Sequence, residues 1–150
     1  MYEDVVAIDT DVLVIHHIYT HDSRYEINEK FLRRVRENYK VGLTIHNLLE
    51  LYGIAAMAWG RDKATTLYNN YLRTKNVVIL HPEYPPNWTS YIDRIVEYIA
   101  KGMHYGDALI AWVIDETTPA FFITWNVRHF KGKIRVEVLT PEEFISTIKE

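Results

Sequence analysis

The 150-residue chain has no cysteine. That excludes disulfides and every zinc site built on thiolates, and it fits a reducing compartment. No apolar run approaches the ~18 residues that a membrane-crossing helix needs. The opening stretch MYEDVVAIDT carries acids and lacks a basic n-region, so no secretory signal is expected. The expectation is a cytoplasmic protein with no membrane partner. Positive charge is also in short supply: 17 Lys and Arg face 20 Asp and Glu, a net charge of −3, which argues against a large surface for wrapping nucleic acid. Internal repeats, low-complexity tracts and linkers are all missing, so residues 1–150 read as a single domain.

Hydrophobic residues make up 48% of the chain, enough for a layered core without covalent staples. The basic residues gather in two stretches, Lys30, Arg33, Arg34, Arg36 and Lys40, and then Arg128, Lys131, Lys133 and Arg135. Each taken alone reads as a solvated face. Short β-rich runs alternate with longer helical patterns. The runs are 5–8, 41–44, 77–80, 120–124 and 136–139; the helical patterns span 11–19, 23–39, 46–59, 61–74, 89–101 and 104–116. Gly60 and Gly102 read as breaks, and HPEYPPNW, 81–88, as a proline-rich loop. TPEEF opens a final helix, with Thr140 as N-cap, Pro141 in the first turn and Glu143 closing a capping box. Apolar strands separated by helices imply a parallel sheet covered on both faces. Ligands of such sheets bind beyond the strands' carboxyl ends, where the winding reverses. Asp9 ends the first strand, and Thr124 and Asn126 follow the fourth. If those two strands are neighbours, the three residues share one crevice.

Two more acids sit in comparable places. Glu50 shares a helix face with Gly53, Ile54 and Met57, and Asp107 shares one with Ile110, Ala111 and Ile114. Each has a structural alternative: Asp9 or Asp11 as a helix cap, Asp107 as a first-turn partner of the helix dipole, Glu50 paired with a buried base. Yet no lysine or arginine lies within five residues of Asp9 or Glu50. Two carboxylates ~4 Å apart repel by about 4 kcal/mol at an effective dielectric of ~20, which protons or a cation must offset. Oxygen donors alone suit a hard ion such as Mg²⁺ or Mn²⁺. His16 and His17, adjacent in sequence, point to different faces of a helix and offer no zinc spacing.

The order of AIDTDVLV (Asp9), TIHNLLELYG (Glu50), MHYGDALIAW (Asp107), FITWNVRHF (Thr124, Asn126) and VLTPEEFI resembles the PIN-domain nucleases, most of all the ribonuclease toxins of VapBC toxin–antitoxin pairs. The resemblance spans nearly the whole chain. It implies a three-layer α/β/α sandwich around a parallel five-stranded sheet of order 3-2-1-4-5. It also implies Mg²⁺- or Mn²⁺-dependent cleavage of RNA, homodimers and inhibition by a small antitoxin. Carried onto this chain, Asp9, Glu50 and Asp107 hold the metal, Glu50 also serving the attacking water, and Thr124 hydrogen-bonds a ligating carboxylate. One departure stands out. The fourth acid that the family often carries after strand four is missing, and Asn126 and His129 occupy that stretch. Asn126 could ligate through its amide oxygen; His129 reads first as an ordinary surface or core histidine. Asp11 is expected to cap the first helix, Trp125 to fill a gap, and Trp59, Tyr68 and Tyr71 to flank a possible oligomer surface.

Three rivals come from other classes. DTDVL nearly fits the start of haloacid-dehalogenase-like phosphotransferases, but Leu13 replaces Thr or Val and no lysine follows where that chemistry needs one. A response-regulator receiver wants a lysine after strand five, where residues 139–141 read Leu-Thr-Pro. A catalytically weak or inactive PIN-like RNA-binding or scaffolding module also stays open, as does an RNA-processing nuclease that is not a toxin.

Overall fold

The structure is a computed structural model that describes residues 2–83 and 87–147. Five strands, β1 (Val5–Ile8), β2 (Lys40–Thr44), β3 (Val77–Leu80), β4 (Phe121–Ile123) and β5 (Glu137–Leu139), form one sheet in the order β3-β2-β1-β4-β5. Every neighbouring pair is parallel. Seven α-helices among the described residues connect and cover it: α1 (Thr10–His17), α2 (Tyr25–Asn38), α3 (Ile45–Trp59), α4 (Arg61–Arg73), α5 (Trp88–Ala100), α6 (Tyr105–Thr117) and α7 (Pro141–Thr147).

Alternation along the strands builds two cores. Val6, Ile8, Val41, Leu43, Ile123 and Leu139 point to one face, where they meet Val12, Leu13, Phe31, Leu32, Val35, Leu48, Leu51 and Phe144 from α1, α2, α3 and α7. Ala7, Leu80, Phe122 and Val138 point to the other, against Ile95 and Tyr98 of α5 and Ala108 to Ile114 of α6. The sandwich is therefore α/β/α, and its central strands are apolar on both sides, as a doubly covered parallel sheet requires. Gly60 (φ 93°) and Gly102 (φ 92°) break the α3–α4 and α5–α6 hairpins in a conformation that costs a glycine least. The capping box forms as the sequence implies: Thr140 N–H donates to Glu143 Oε1 at 2.9 Å and Glu143 N–H to Thr140 Oγ1 at 3.0 Å. The proline-rich loop falls partly outside the described residues.

The winding reverses at β1, which has β2 on one side and β4 on the other. The ladder runs one residue past the strand ends, with Asp9 N–H donating to Ile123 O at 2.9 Å and Thr124 N–H to Leu139 O at 3.0 Å. Asp9 and Thr124 thus stand side by side at the carboxyl edge.

Close packing in mid-sheet depends on Gly42. A Cβ there would lie 2.5 Å from Val5 Cγ1 and 3.1 Å from Leu80 Cδ1. Gly42→Ala is expected to destabilise the protein by ~1–3 kcal/mol through overpacking, read as a lower urea midpoint at unchanged slope.

Candidate active site

At the carboxyl edge the residues Asp9-Thr10-Asp11 turn the chain from β1 into α1. Asp9 is the helix N-cap (φ −74°, ψ 160°), and its Oδ1 accepts from Thr10 N–H at 2.8 Å. The same oxygen accepts from Asn47 Nδ2 at 2.9 Å, and Oδ2 accepts from Thr124 Oγ1 at 2.7 Å. Three elements therefore grip one buried carboxylate. Asn47 is itself fully buried and held by Thr44, whose hydroxyl caps α3 by accepting from Asn47 N–H at 3.0 Å and donates to Asn47 Oδ1 at 2.8 Å. Asn47 Nδ2 also reaches Thr10 Oγ1 at 2.9 Å, and Thr10 Oγ1 donates to Glu50 Oε1 at 2.6 Å. Glu50 stands on the rim, exposed as a residue, with its carboxylate turned back onto Thr10. Its partner is a hydroxyl, where a buried base had been one alternative.

Asp107 lies in the first turn of α6, across from Glu50. A Cβ on the adjacent Gly106 would sit 3.7 Å from Glu50 Oε2. Burial raises the Glu50 pKa first, and the charge of Asp107 adds to it. Asp107 is not alone, because its Oδ2 lies 3.2 Å from His129 Nδ1. His129 is thus a surface histidine with a specific partner, which its sequence context did not indicate.

Asp11 departs from expectation more sharply. Asp9 has taken the cap, and Asp11, one place into the helix, turns toward the end of β4. Its Oδ2 accepts from Trp125 N–H at 3.0 Å, Thr124 Oγ1 at 3.2 Å and Asn126 Nδ2 at 3.3 Å, while its Oδ1 is buried without a hydrogen-bond partner. Asn126 therefore addresses Asp11 rather than Asp9. Trp125 does pack against the core, and its Nε1–H donates to Asn28 Oδ1 at 2.8 Å; Asn28, fully buried, donates in turn to Val12 O at 2.9 Å. Arg24 stacks 5.4 Å over the indole and eases the charge on Asp11.

Burial pushes Asp9 up to about 8, the Asp11 charge raises it further, and the Thr124 hydrogen bond opposes both. Burial likewise lifts Asp11 to about 6, against the Trp125 and Thr124 hydrogen bonds. Neither Asp9 nor Glu50 is ion-paired with a described lysine, arginine or histidine. The five residues singled out by sequence therefore fall into two linked groups, Asp9 with Thr124 and Asn126 by way of Asp11, and Glu50 with Asp107. Among the described residues, no three acidic or imidazole side chains close round one point as metal ligands would. Thr10, Asn47 and Asn28 escaped the sequence reading, and Asp11, expected as the helix cap, yields that place to Asp9. Asn47 had one available signal, its place three residues before Glu50 on the same helix face. Tyr68 and Tyr71 are half-buried against the core, and Tyr71 OH bonds His17 Nε2 at 2.6 Å.

No family model matches the chain, and no curated protein does. Solved structures do. A chain of VapBC2 from Rickettsia felis, bound to a DNA fragment from their promoter, aligns with TM-score 0.64 at 18% identity, covering 89% of this chain and 96% of that one. The chain has a PIN-domain fold of the VapC kind. VapBC-1 from nontypeable Haemophilus influenzae aligns with TM-score 0.62 at 18% identity, over 91% and 98% of the two chains. Mycobacterium tuberculosis VapC20, a sarcin-ricin loop cleaving toxin, aligns with TM-score 0.59 at 13% identity, over 78% and 86%. At these identities the likeness concerns the path of this PIN-domain backbone, and the chemistry must be argued from its own side chains.

The raised Asp9 pKa gives a stability signature. Folding tightens its proton, so between the ordinary value of 3.8 and about 8 the folded state binds more protons than the unfolded one, and metal-free stability falls as pH rises through that window. Asp9→Asn removes the titration while keeping an oxygen for Asn47 and Thr10. Urea melts in chelator at pH 5 and pH 8 should show a flatter profile for the variant and, at pH 8, a gain of roughly a few kcal/mol over wild type. A variant less stable than wild type at pH 8 would contradict the electrostatic reading.

Proposed function

We propose that the chain is a Mg²⁺- or Mn²⁺-dependent endoribonuclease, the toxin of a toxin–antitoxin pair, working in the cytoplasm as a homodimer held in check by a small antitoxin. The observation that carries this is Asp9, a carboxylate gripped by three elements at the switch point, pushed by burial and by the Asp11 charge to hold a proton, with no cationic side chain among the described residues to answer it. Asp11 and Glu50 add their charge to it, Asp107 in turn adds its charge to Glu50, and one oxygen of Asp11 is buried without a hydrogen-bond partner. An all-oxygen set of this kind fits a hard divalent cation.

Asp9, Glu50 and Asp107 are the residues that would hold it. Bound there, such an ion would supply Lewis-acid polarisation of a phosphodiester oxygen and balance the acids' charge. The rest is the chain's own work. Thr124 and Asn47 fix the Asp9 carboxylate in orientation, as neighbours of a ligand do. Thr10 holds Glu50, whose raised pKa suits it to take a proton from a water attacking phosphorus in line. Asp107 rests in the first turn of α6, at the positive end of the helix dipole. Asn126 and the Trp125 N–H steady Asp11 and keep the β4 end against β1. The VapBC2 and VapBC-1 neighbours support a protein partner of the antitoxin kind, and VapC20 supports RNA as the substrate class.

A second reading, a weak or inactive RNA-binding scaffold, draws on the His129–Asp107 pair at 3.2 Å and on the lack of a closed three-ligand group among the described residues. Metal response separates the two. Millimolar Mn²⁺ is expected to raise the melting temperature by several degrees, equivalent to ~2–3 kcal/mol if the ion is about 100-fold above its Kd, with no rise in Asp9→Asn. Incubating a mixed RNA pool with Mn²⁺ should give discrete cut ends, at least 100-fold fewer with Asp9→Asn. Neither a shift nor cleavage would leave the scaffold.

A further inference from the structure

The second basic stretch of the sequence has a structural setting that the nuclease reading leaves unused. Residues 129–135 run beside α6 and are stitched to it at both ends. At one end His129 meets Asp107; at the other, Arg135 N–H donates to Asp115 Oδ1 at 2.8 Å. Those anchors are eight residues apart on one helix, ~12 Å. The track begins at the acid cluster and ends in an open pocket of about 350 Å³ lined by Arg94, Lys101, Lys133 and Arg135, with Glu97 and Asp115. Four cations face three carboxylates, since Arg94 pairs with Glu116 at 3.0 Å, which still leaves a positive excess on a chain of net charge −3.

The pocket is built from beneath. Asp115, only 6% exposed, accepts from Tyr98 OH at 2.5 Å and from the Arg135 N–H, so much of its bonding capacity is spent on holding α5 and the 129–135 segment together. Lys101 Nζ donates to Lys133 O at 3.1 Å and lies 5.1 Å over the Tyr98 ring, bracing the wall. The Arg135 side chain is 71% exposed at the mouth, with Nη2 donating to Asp115 O at 3.2 Å and Nε 4.0 Å from Asp115 Oδ1.

We infer that this pocket seats backbone phosphates of the RNA strand whose scissile bond lies at the acids; the inference rests on the ribonuclease reading. The acids repel a polyanion, so the strand needs a cationic foothold nearby. A foothold ~12 Å away is about three to four nucleotides off, at ~3.4 Å per nucleotide of a stacked strand. Cations strung along a track, on side chains that pair with phosphate as charges or forks, match a strand better than a lone anion.

The test is binding, independent of cleavage. Fluorescent single-stranded RNA 12-mers are titrated without metal onto full-length Asp9→Asn, with and without Lys133→Gln/Arg135→Gln. The double change should weaken binding several-fold and reduce the log Kd against log salt slope by about 1.4, at ~0.7 per lost contact. Arg135→Lys should retain most of the affinity. Melting curves check folding, and each single change is run alongside, so that a folded variant always reports. Pocket-dependent binding without cleavage by the wild-type chain would sink the nuclease reading and leave the RNA site standing. Cleavage with unchanged affinity and salt slope in the double variant would overturn the pocket. Competition by inorganic phosphate at low millimolar concentration, or by polyglutamate as effectively as by RNA, would overturn the assignment to RNA in favour of a free anion or an acidic protein.

Discussion

The hydrogen bond from Thr124 to Asp9, 2.7 Å long, joins residues 115 positions apart and closes the carboxyl edge of the sheet. It works only because β1 and β4 are neighbours, which in turn follows from the reversal of winding at β1. A buried carboxylate is costly, and its neighbours decide whether it is tolerated. Here the answer is a set of neutral donors, one hydroxyl, one amide and one backbone N–H, none of which removes its negative charge. The site is geometrically satisfied and electrostatically unbalanced, which is the condition that makes a cation welcome.

That imbalance is graded. Asp9 has no positive side chain; Asp11 has Arg24 at a distance; Asp107 has the helix dipole and an imidazole. Selection for stability alone would have no use for this arrangement, since an apolar filling of similar volume is commonly as stable as a buried charge or better. The basic side chains of 131–135 lie further along α6, beyond the acids at its first turn, so the molecule sorts its charges by location although its net charge is modest.

Much of this was legible in the sequence. Strand positions, both glycine breaks and the capping box can be read from local pattern, because apolar alternation and turn chemistry act over a few residues. The placement of Asp9, Glu50, Asp107 and Thr124 near one edge follows from topology once the strand order is granted. What escaped was orientation. Whether Asp9 or Asp11 caps α1 depends on where the helix starts, here one residue earlier than the pattern implied, and that single step turns Asp11 into the crevice. Asn47 and Asn28 look unremarkable in a sequence; their buried amides matter because distant chain segments leave donors and acceptors to be matched. His129 could not be paired with Asp107 from spacing, since the link runs between a helix and a loop 22 residues on.

Asn28 carries a consequence of its own. One side-chain amide ties the first turn of α2 to the α1 backbone and to the indole of Trp125, the residue whose backbone N–H holds Asp11. The start of α2 and the crevice wall are thus joined through one buried amide, with Arg24 stacked on the same indole. A change at that residue would reach Asp11 without any contact inside the crevice.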